Sequence, residues 1–342
     1  MPLLTWEHRD PDPSVLFVTN MWPDGERPVY GIFVQRQVDS LRRAGLRCDV
    51  LYVRGYLGLH TYAYAVLRFL ASSRRWRRRY QLVHAHAGET AVVSRFIVGL
   101  PVIASYCGDD LQGQFRADGS ISRFYRARRQ FIRQQTRLIT QTITKSREMQ
   151  SLLPPPSRAG NRVLPNGVNT ELFRPRPRDE VRRELGWDLE ERVVLFAATR
   201  PFEVRKRLDL AKAAVAYAEE QVGPIRLHVA DNESPDRVPL LMNAADCLLL
   251  TSRAEGSPNA VKEAIMSDLP VVTTRVGDVD EMLDSVAPSA VCGDDPRDLG
   301  SALAEILAAG DRSNGSVRRV ELAEHHTAQV LLQMYRDHGL NA

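Results

Sequence analysis

The chain has 342 residues, 44% hydrophobic and 26% charged, a composition that suits a globular protein of two ordinary domains. No run approaches the roughly 18 apolar residues of a membrane-spanning helix, and MPLLTWEHRDPDP lacks the basic start and apolar core of a secretory signal. Charge is split: residues 1–165 hold 25 Lys/Arg against 12 Asp/Glu (net +13) and residues 166–342 hold 21 against 30 (net −9), so the first half is expected to meet an anionic surface or substrate.

Val15–Thr19 has no polar alternation and reads as a buried strand. A loop reaches Gly31, a helix follows with Val34, Val38 and Leu41 on one face, and it stops at Gly45. Asp49–Val53 completes a βαβ pattern. Residues 60–80 read as a helix with Tyr62, Val66 and Phe69 inward, followed by Arg74-Arg75-Trp76-Arg77-Arg78-Arg79. Leu82–His86 is a short strand ending in two histidines, of which His86 is nearer the exit and either faces a cleft or caps a neighbouring backbone group, and a helix starts at about Glu89. The strand from Pro101 runs into Cys107-Gly108-Asp109-Asp110. Asp109 and Asp110 there meet an acceptor hydroxyl, cap the following helix or turn the chain. A second basic stretch carries Arg123, Arg126, Arg128, Arg129, Arg133 and Arg137 with Phe124, Tyr125 and Phe131 interleaved. No nucleic-acid motif accompanies these arginines. Anionic lipid headgroups fit better, at roughly 1 kcal/mol per basic residue near the surface. The plain alternative is a solvated basic face. Thr136–Thr142 reads as a strand and Lys145–Leu152 as a helix. Pro154-Pro155-Pro156 and the Asn166-Gly167 turn mark a domain boundary near 165.

In the second half, Val193–Ala198 is a strand, with Arg200 just past it and Lys206 before a helix from about Arg207. Arg205 and Arg207 flank Lys206. Cations at a helix start are disfavoured unless an anion joins them. Ile225–Val229 is the next strand, and Cys247–Leu250 another buried one. A loop with Glu255 and Gly256 follows. Ser257 then reads as an N-cap with Pro258 at the first helical position, Glu263 lies on the helix, and the helix runs to about Ser267. Leu269–Val272 begins the next strand. Glu255 sits after a strand's carboxyl end, where open α/β sheets bind ligands. The helix amino end suits a phosphate. Two carboxylates for hydroxyls beside a phosphate seat point to a nucleotide-sugar; the plain reading is charge–dipole decoration of the helix. Pro296–Ala309 is an amphipathic helix, and Val317–Tyr335 a last one carrying His325 and His326 as surface residues. The four cysteines (Cys48, Cys107, Cys247, Cys292) lack metal-ligand spacing and read as reduced thiols.

Glu255-Gly256-Ser257-Pro258-Asn259 through Glu263-Ala264 resembles the Glu-seven-Glu motif of retaining GT-B glycosyltransferases of the family 4 type. Val276-Gly277-Asp278 through Glu281 is similar to the Gly-Gly-x-x-Glu segment that follows it there. Leu164–Asn169 with Phe173-Arg174-Pro175 is similar to the family's lead into its second domain. The resemblance implies an α/β GT-B architecture, two Rossmann-like domains facing across a cleft. Residues 1–165 would form the acceptor-side domain and 166–316 the nucleotide-sugar domain, with 317–342 packing back on the first. It implies metal-free transfer of a sugar to a hydroxyl of a glycan, glycolipid or lipid-linked acceptor, with retention and no cofactor. Arg200 and Lys206 would hold the departing diphosphate and Glu255 the sugar. Glu263 would take the ribose hydroxyls, and Gly256, Ser257, Pro258, Asn259 and Gly31 would lie along the donor. His86, Cys107, Asp109 and Asp110 would line the acceptor or sugar side. The family's His-Gly-Ser-Asp is here Cys-Gly-Asp-Asp, which resembles a branch related to teichuronic-acid and capsule transferases. Cys107 lacks the donor/acceptor pair of an imidazole, which puts sugar contacts on that side in question. A cytoplasmic protein at the inner face of the membrane is expected. A sugar-nucleotide epimerase and a non-enzymatic scaffold of the same fold are the rival readings.

Overall fold

The structure, a computed structural model, describes residues 2–8, 12–116, 118–198, 200–231 and 233–340. The chain forms two compact units. The first comprises Met1–Gln114, Ile121–Asn166 and Glu324–Ala342, the second Phe115–Ser120 and Gly167–Ala323. The return to the first unit thus begins at 324 rather than at 317.

The first unit is built on seven strands: β1 (Leu4–Glu7), β2 (Val15–Thr19), β3 (Cys48–Val53), β4 (Leu82–His86), β5 (Val102–Ser105), β6 (Gln141–Thr144) and β7 (Arg162–Val163). Their order is β1-β3-β2-β4-β5-β6-β7. All neighbours are parallel except β1, which runs antiparallel to β3 along the edge. Every residue of β2 is buried because both faces of the sheet are covered. Val15 and Phe17 point to one face, where they meet Val34, Val38 and Leu41 of α1 (Ile32–Arg43) and Leu331 and Tyr335 of the carboxyl-terminal helix Glu324–Asp337. Leu16 and Val18 point to the other, against Ala65, Phe69 and Trp76 of α2 (Leu59–Trp76) and Val93 of α3 (Gly88–Ser94). Two further helices, α4 (Asp109–Gln112) and α5 (Arg123–Gln135), complete this layer. Truncating a side chain as enclosed as Phe17 to Ala would cost about 3–5 kcal/mol.

Several local expectations are corrected. The inward stripe of α2 is Thr61, Ala65, Phe69, Ser73 and Trp76, whereas Tyr62 and Val66 are half-buried. The strand expected from Thr136 starts at Gln141, after a 3-10 turn over Thr136–Leu138, and the helix expected from Lys145 starts at Arg147 with Ser146 as its N-cap. The final helix is broken at Ala323, whose extended backbone pairs in parallel with Val168 while the Val168 N–H donates to the Leu322 carbonyl. That bridge takes the place of a helical turn.

The second unit carries β8 (Arg192–Ala198), β9 (Ile225–Asp231), β10 (Cys247–Leu250), β11 (Val271–Thr274) and β12 (Ala290–Cys292) in the order β12-β11-β10-β8-β9, all parallel. Helices Leu208–Val222 and Pro296–Ala309 cover Val194, Phe196, Leu249 and Val272 on one face. Helices Val238–Ala244, Asn259–Met266 and Val279–Leu283 cover Val193, Leu195, Leu248 and Val271 on the other. Because every strand points the same way, the loops after β8, β10 and β11 emerge at one edge.

Candidate active site

At that edge the loop after β10 is stitched to the loop after β8. The Thr251 hydroxyl donates to the carbonyls of Lys206 (2.9 Å) and Arg207 (2.8 Å), and the Arg253 N–H donates to the Arg205 carbonyl at 2.8 Å. Arg207 takes a left-handed conformation there, φ 53°, between the 3-10 turn Val204–Lys206 and the helix Leu208–Val222. Thr274, at the end of β11, donates to the Ser252 carbonyl at 2.7 Å. Gly277 closes the third side with φ +60°. A Cβ there would lie 2.7 Å from the Gly256 carbonyl oxygen and 3.1 Å from that of Glu255, so only glycine lets these two loops touch.

Glu255 is the centre of this arrangement. Its buried carboxylate accepts from Lys206 Nζ at 2.6 Å, Arg205 Nη1 at 2.9 Å and Ser252 Oγ at 2.7 Å. Burial alone would push its pKa up, but the charges of Lys206 and Arg205 and the hydrogen bonds override it and hold the carboxyl at about 2. Arg205 also donates to the Ala254 carbonyl at 3.0 Å, which fixes its guanidinium in place. Neither Arg205 nor Ser252 follows from the sequence as a partner of Glu255. The crowding of three cations before a helix was the one available signal.

The other expected donor-side residues are placed as follows. Arg200 is 63% exposed in its side chain and pairs with Glu203 at 3.0 Å; Glu203 pairs in turn with Arg205 at 3.6 Å, which links Arg200 to the rim of the Glu255 cluster. Arg207 pairs with Asp294 at 2.8 Å. Gly256 and Pro258 are buried, Ser257 and Asn259 half-buried. The N-cap is Pro258, not Ser257, and the helix starts at Asn259 with no side-chain cap. Pro258 in an extended conformation cannot itself be the first helical residue, so the start moves on by one. Glu263 is half-buried on this helix. Beside it the fully buried Lys262 acts on Asp278, where burial pushes the carboxyl up to about 6 against the pull of the lysine charge.

The acceptor-side candidates gather at the carboxyl edge of the first sheet. His86 is fully buried rather than open to a cleft. It stacks on His84 with centroids 4.4 Å apart, its Nε2 lies 3.4 Å from Gln37 Oε1 of α1, and burial pushes its pKa well down. The helix lying over the strand exit closes the position that the sequence left open. His84 is held by the Tyr335 hydroxyl at 2.5 Å and Ser105 Oγ at 2.9 Å. Asp110 is buried and accepts four backbone N–H groups, from Cys107, Gly88, Gly108 and Leu111, at 3.0–3.1 Å. Of its three readings, turning the chain fits these bonds; it does not cap the following helix, since Asp110 lies within Asp109–Gln112, whose N-cap is Gly108 with no side-chain cap. Burial raises its pKa to about 6, against the lowering effect of those bonds. Cys107 and Asp109 are half-buried, and burial lifts the Cys107 thiol to about 12, so it stays protonated. Lys145, 3% exposed, is a cation here that sequence reasoning missed; burial lowers its pKa while Cys107 and Asp110 counter that. Gly31 has a structural reason: φ is +75° and a Cβ would lie 2.3 Å from the Met21 carbonyl carbon.

With this geometry in view, residues 210–309 match the family model described as glycosyl transferases group 1. The second unit carries a glycosyl transferases group 1 domain. The chain is 30% identical over 241 residues to a D-inositol 3-phosphate glycosyltransferase of Thermobispora bispora, a match spanning 59% of this chain and 56% of that relative. It therefore covers little more than half the length of that protein. It is 22% identical over 331 residues to the putative teichuronic acid biosynthesis glycosyltransferase TuaC of Bacillus subtilis, covering 79% and 82% of the two. Among solved structures, sucrose-phosphate synthase from Thermosynechococcus elongatus superposes with a TM-score of 0.75 over 95% of this chain and 98% of that one, at 16% identity. Anabaena HepE in complex with UDP and glucose does so at 0.67, over 95% and 100%, at 15% identity. The fold around the group 1 domain is GT-B, with two Rossmann-like units as the sequence implies.

Proposed function

We propose that the chain is a retaining glycosyltransferase that moves a sugar from a nucleoside-diphosphate sugar to a hydroxyl of a glycan, glycolipid or lipid-linked acceptor. The observation that carries this reading is the Glu255 carboxylate, kept ionised by Lys206 and Arg205 at the carboxyl edge of the second sheet. Cleaving a sugar–phosphate bond leaves extra negative charge on a diphosphate. Preorganised cations at that point stabilise the transition state more than the ground state. Lys206 and Arg200 take the diphosphate, and Arg205, anchored to the Ala254 carbonyl, keeps Glu255 aligned when Lys206 turns to the phosphate. Glu255, acceptor-only at neutral pH, receives hydrogen bonds from sugar hydroxyls, and Glu263 receives them from the ribose. The loop Gly256–Asn259 and the following helix start lie along the phosphate. The positive charge comes from side chains, so no metal is given a role. Attack from the face that the phosphate leaves, assisted by that phosphate, gives retention without an enzymic base.

UDP-glucose is bound in a HepE complex of this fold, and D-inositol 3-phosphate and teichuronic acid biosynthesis are named for the two relatives above. A phosphate- or lipid-bearing acceptor suits the net positive first half of the chain. The test is product analysis with a panel of nucleotide-sugars in the presence of EDTA. Transfer or slow donor hydrolysis, with the anomeric configuration kept, supports the proposal. Epimerised donor without acceptor, or an inert protein that binds no nucleotide, contradicts it.

A further inference from the structure

The outer layer of the first unit leaves a face that its own fold does not use. α2 packs against α3, and α3 against α5, so the three helices lie side by side on one face of the sheet. Every residue of α3 is buried or half-buried, and the outward stripes of α2 and α5 on either side of it are not uniformly polar. On α2, Leu59, Leu67 and Leu70 are 74%, 68% and 47% exposed and share one helical face with Ala63 and Ala71. On α5 and the turn that follows, Phe124, Phe131 and Leu138 are 62%, 54% and 60% exposed at helical spacing. Between them the turn after α3 presents Val98, 55% exposed, tied back to α2 by its N–H donating to Ser73 Oγ at 3.1 Å. Single exposed apolar residues need no explanation. A layer of them on adjacent helices does.

The charge around these side chains says what covers them. Neither α2 nor α5 contains an aspartate or glutamate. Arg68, Arg74 and Arg75 are exposed on α2, and Arg123, Arg126 and Arg137 on or just after α5. Among the described residues of α2, α3 and α5 the acidic side chain is Glu89 of α3, which is already paired with Arg128. A nucleic acid would use the arginines but leave the leucines and phenylalanines in water. An apolar protein partner would use the latter and strand the charge.

We infer that the outward faces of α2 and α5, with the turn after α3 between them, dock on a bilayer carrying anionic headgroups, their leucines and phenylalanines entering the acyl boundary and their arginines meeting the phosphates. The face lies wholly within the first unit and needs nothing of the donor site, so it stands or falls apart from the transfer reaction. It places the first unit at the surface where a lipid-linked acceptor would be found.

The full-length chain is to be sedimented with vesicles of phosphatidylcholine alone and of phosphatidylcholine with phosphatidylglycerol, beside a gel-shift assay with duplex DNA. Pelleting with the anionic vesicles and not with the neutral ones is expected. The double substitution Arg74→Ser/Arg75→Ser should lower the partition coefficient about 30-fold, at about fivefold for each basic residue. The substitution Leu67→Ser/Leu70→Ser/Phe131→Ser should lower it about tenfold or more with the thermal midpoint unchanged, since all three side chains are already exposed. Should the apolar variant fold poorly, the arginine variant alone decides. No pelleting with anionic vesicles, pelleting indifferent to the arginine substitutions, or tight DNA binding without vesicle binding would each overturn the proposal.

Discussion

Each sheet of this protein ends in a buried carboxylate, and the two are held by opposite means. Glu255, beyond β10, faces two cations and a hydroxyl and titrates at about 2. Asp110, beyond β5, faces four backbone N–H groups, and burial lifts it to about 6. The difference is one of charge. Backbone dipoles satisfy the hydrogen bonds of a buried carboxylate without offsetting the loss of water around a full charge, whereas an ammonium and a guanidinium do both. Asp110 is therefore a clasp that shapes the Cys107–Gln112 loop. Glu255 is a charge kept ready, together with cations that another anion can recruit.

Breaking the charged side should cost the most. If Lys206 holds the departing diphosphate as proposed, Lys206→Ala should lower kcat by about 10² or more in steady-state assays. Near-normal turnover would remove Lys206 from the diphosphate. Arg200→Ala tests whether its exposed pair with Glu203 opens to the substrate. A kcat within a few-fold of wild type would leave Lys206 as the working cation.

Breaking the neutral side should act on folding instead. Asp110→Asn keeps the shape but turns an amide donor towards backbone donors, and should cost about 1–3 kcal/mol in chemical denaturation with nucleotide affinity unchanged. The same variant sharpens the pH contrast. Asp110 titrates at about 6 in the fold against an ordinary 3.8, so the folded state holds its proton more tightly. The stability this proton contributes is full below 3.8 and is lost as pH rises through 6. Glu255, at about 2 against an ordinary 4.5, contributes fully above 4.5 and loses that contribution as pH falls towards 2. Stability profiles of the wild type less Asp110→Asn and less Glu255→Gln should slope in opposite directions in these two windows. Parallel slopes would show that the two carboxylates are not distinguished by their partners. The smallest effect is expected for Glu263→Ala, a rise of about tenfold in the donor KM with kcat nearly kept, as suits contacts made equally in ground and transition states.

How far the chain could be read depended on how local each feature is. The unit around Glu255 was legible because strand Cys247–Leu250, its loop and the helix carrying Glu263 are contiguous, and their patterns are set by burial within a few residues. The cations before Leu208 raised a question about a missing anion, and the fold answers it with Glu255, some fifty residues on in the chain. What lies over a strand exit is not local. His86 read as open because nothing in its neighbourhood announces that Gln37 of α1 closes over it. The helix break at Ala323 escaped for the same reason, since it answers to Val168 across the unit. The edge strand β1 and the short β12 lack the apolar runs that mark the central strands. Exposure escaped as well: the arginine runs are plain in the sequence, but which leucines and phenylalanines stand beside them in water is decided by how α2 and α5 pack.

The most direct test of the central claim is thermal unfolding of the wild type and Lys206→Ala with UDP, GDP, ADP and TDP in turn, all in EDTA. A nucleotide at 100 times its Kd adds about 2.7 kcal/mol of stability, a shift of a few degrees. One nucleotide raising the wild-type midpoint, and failing to raise that of the variant, is the predicted result. Silence from all four, or an equal rise in Lys206→Ala, would contradict a diphosphate held at the Glu255 cluster.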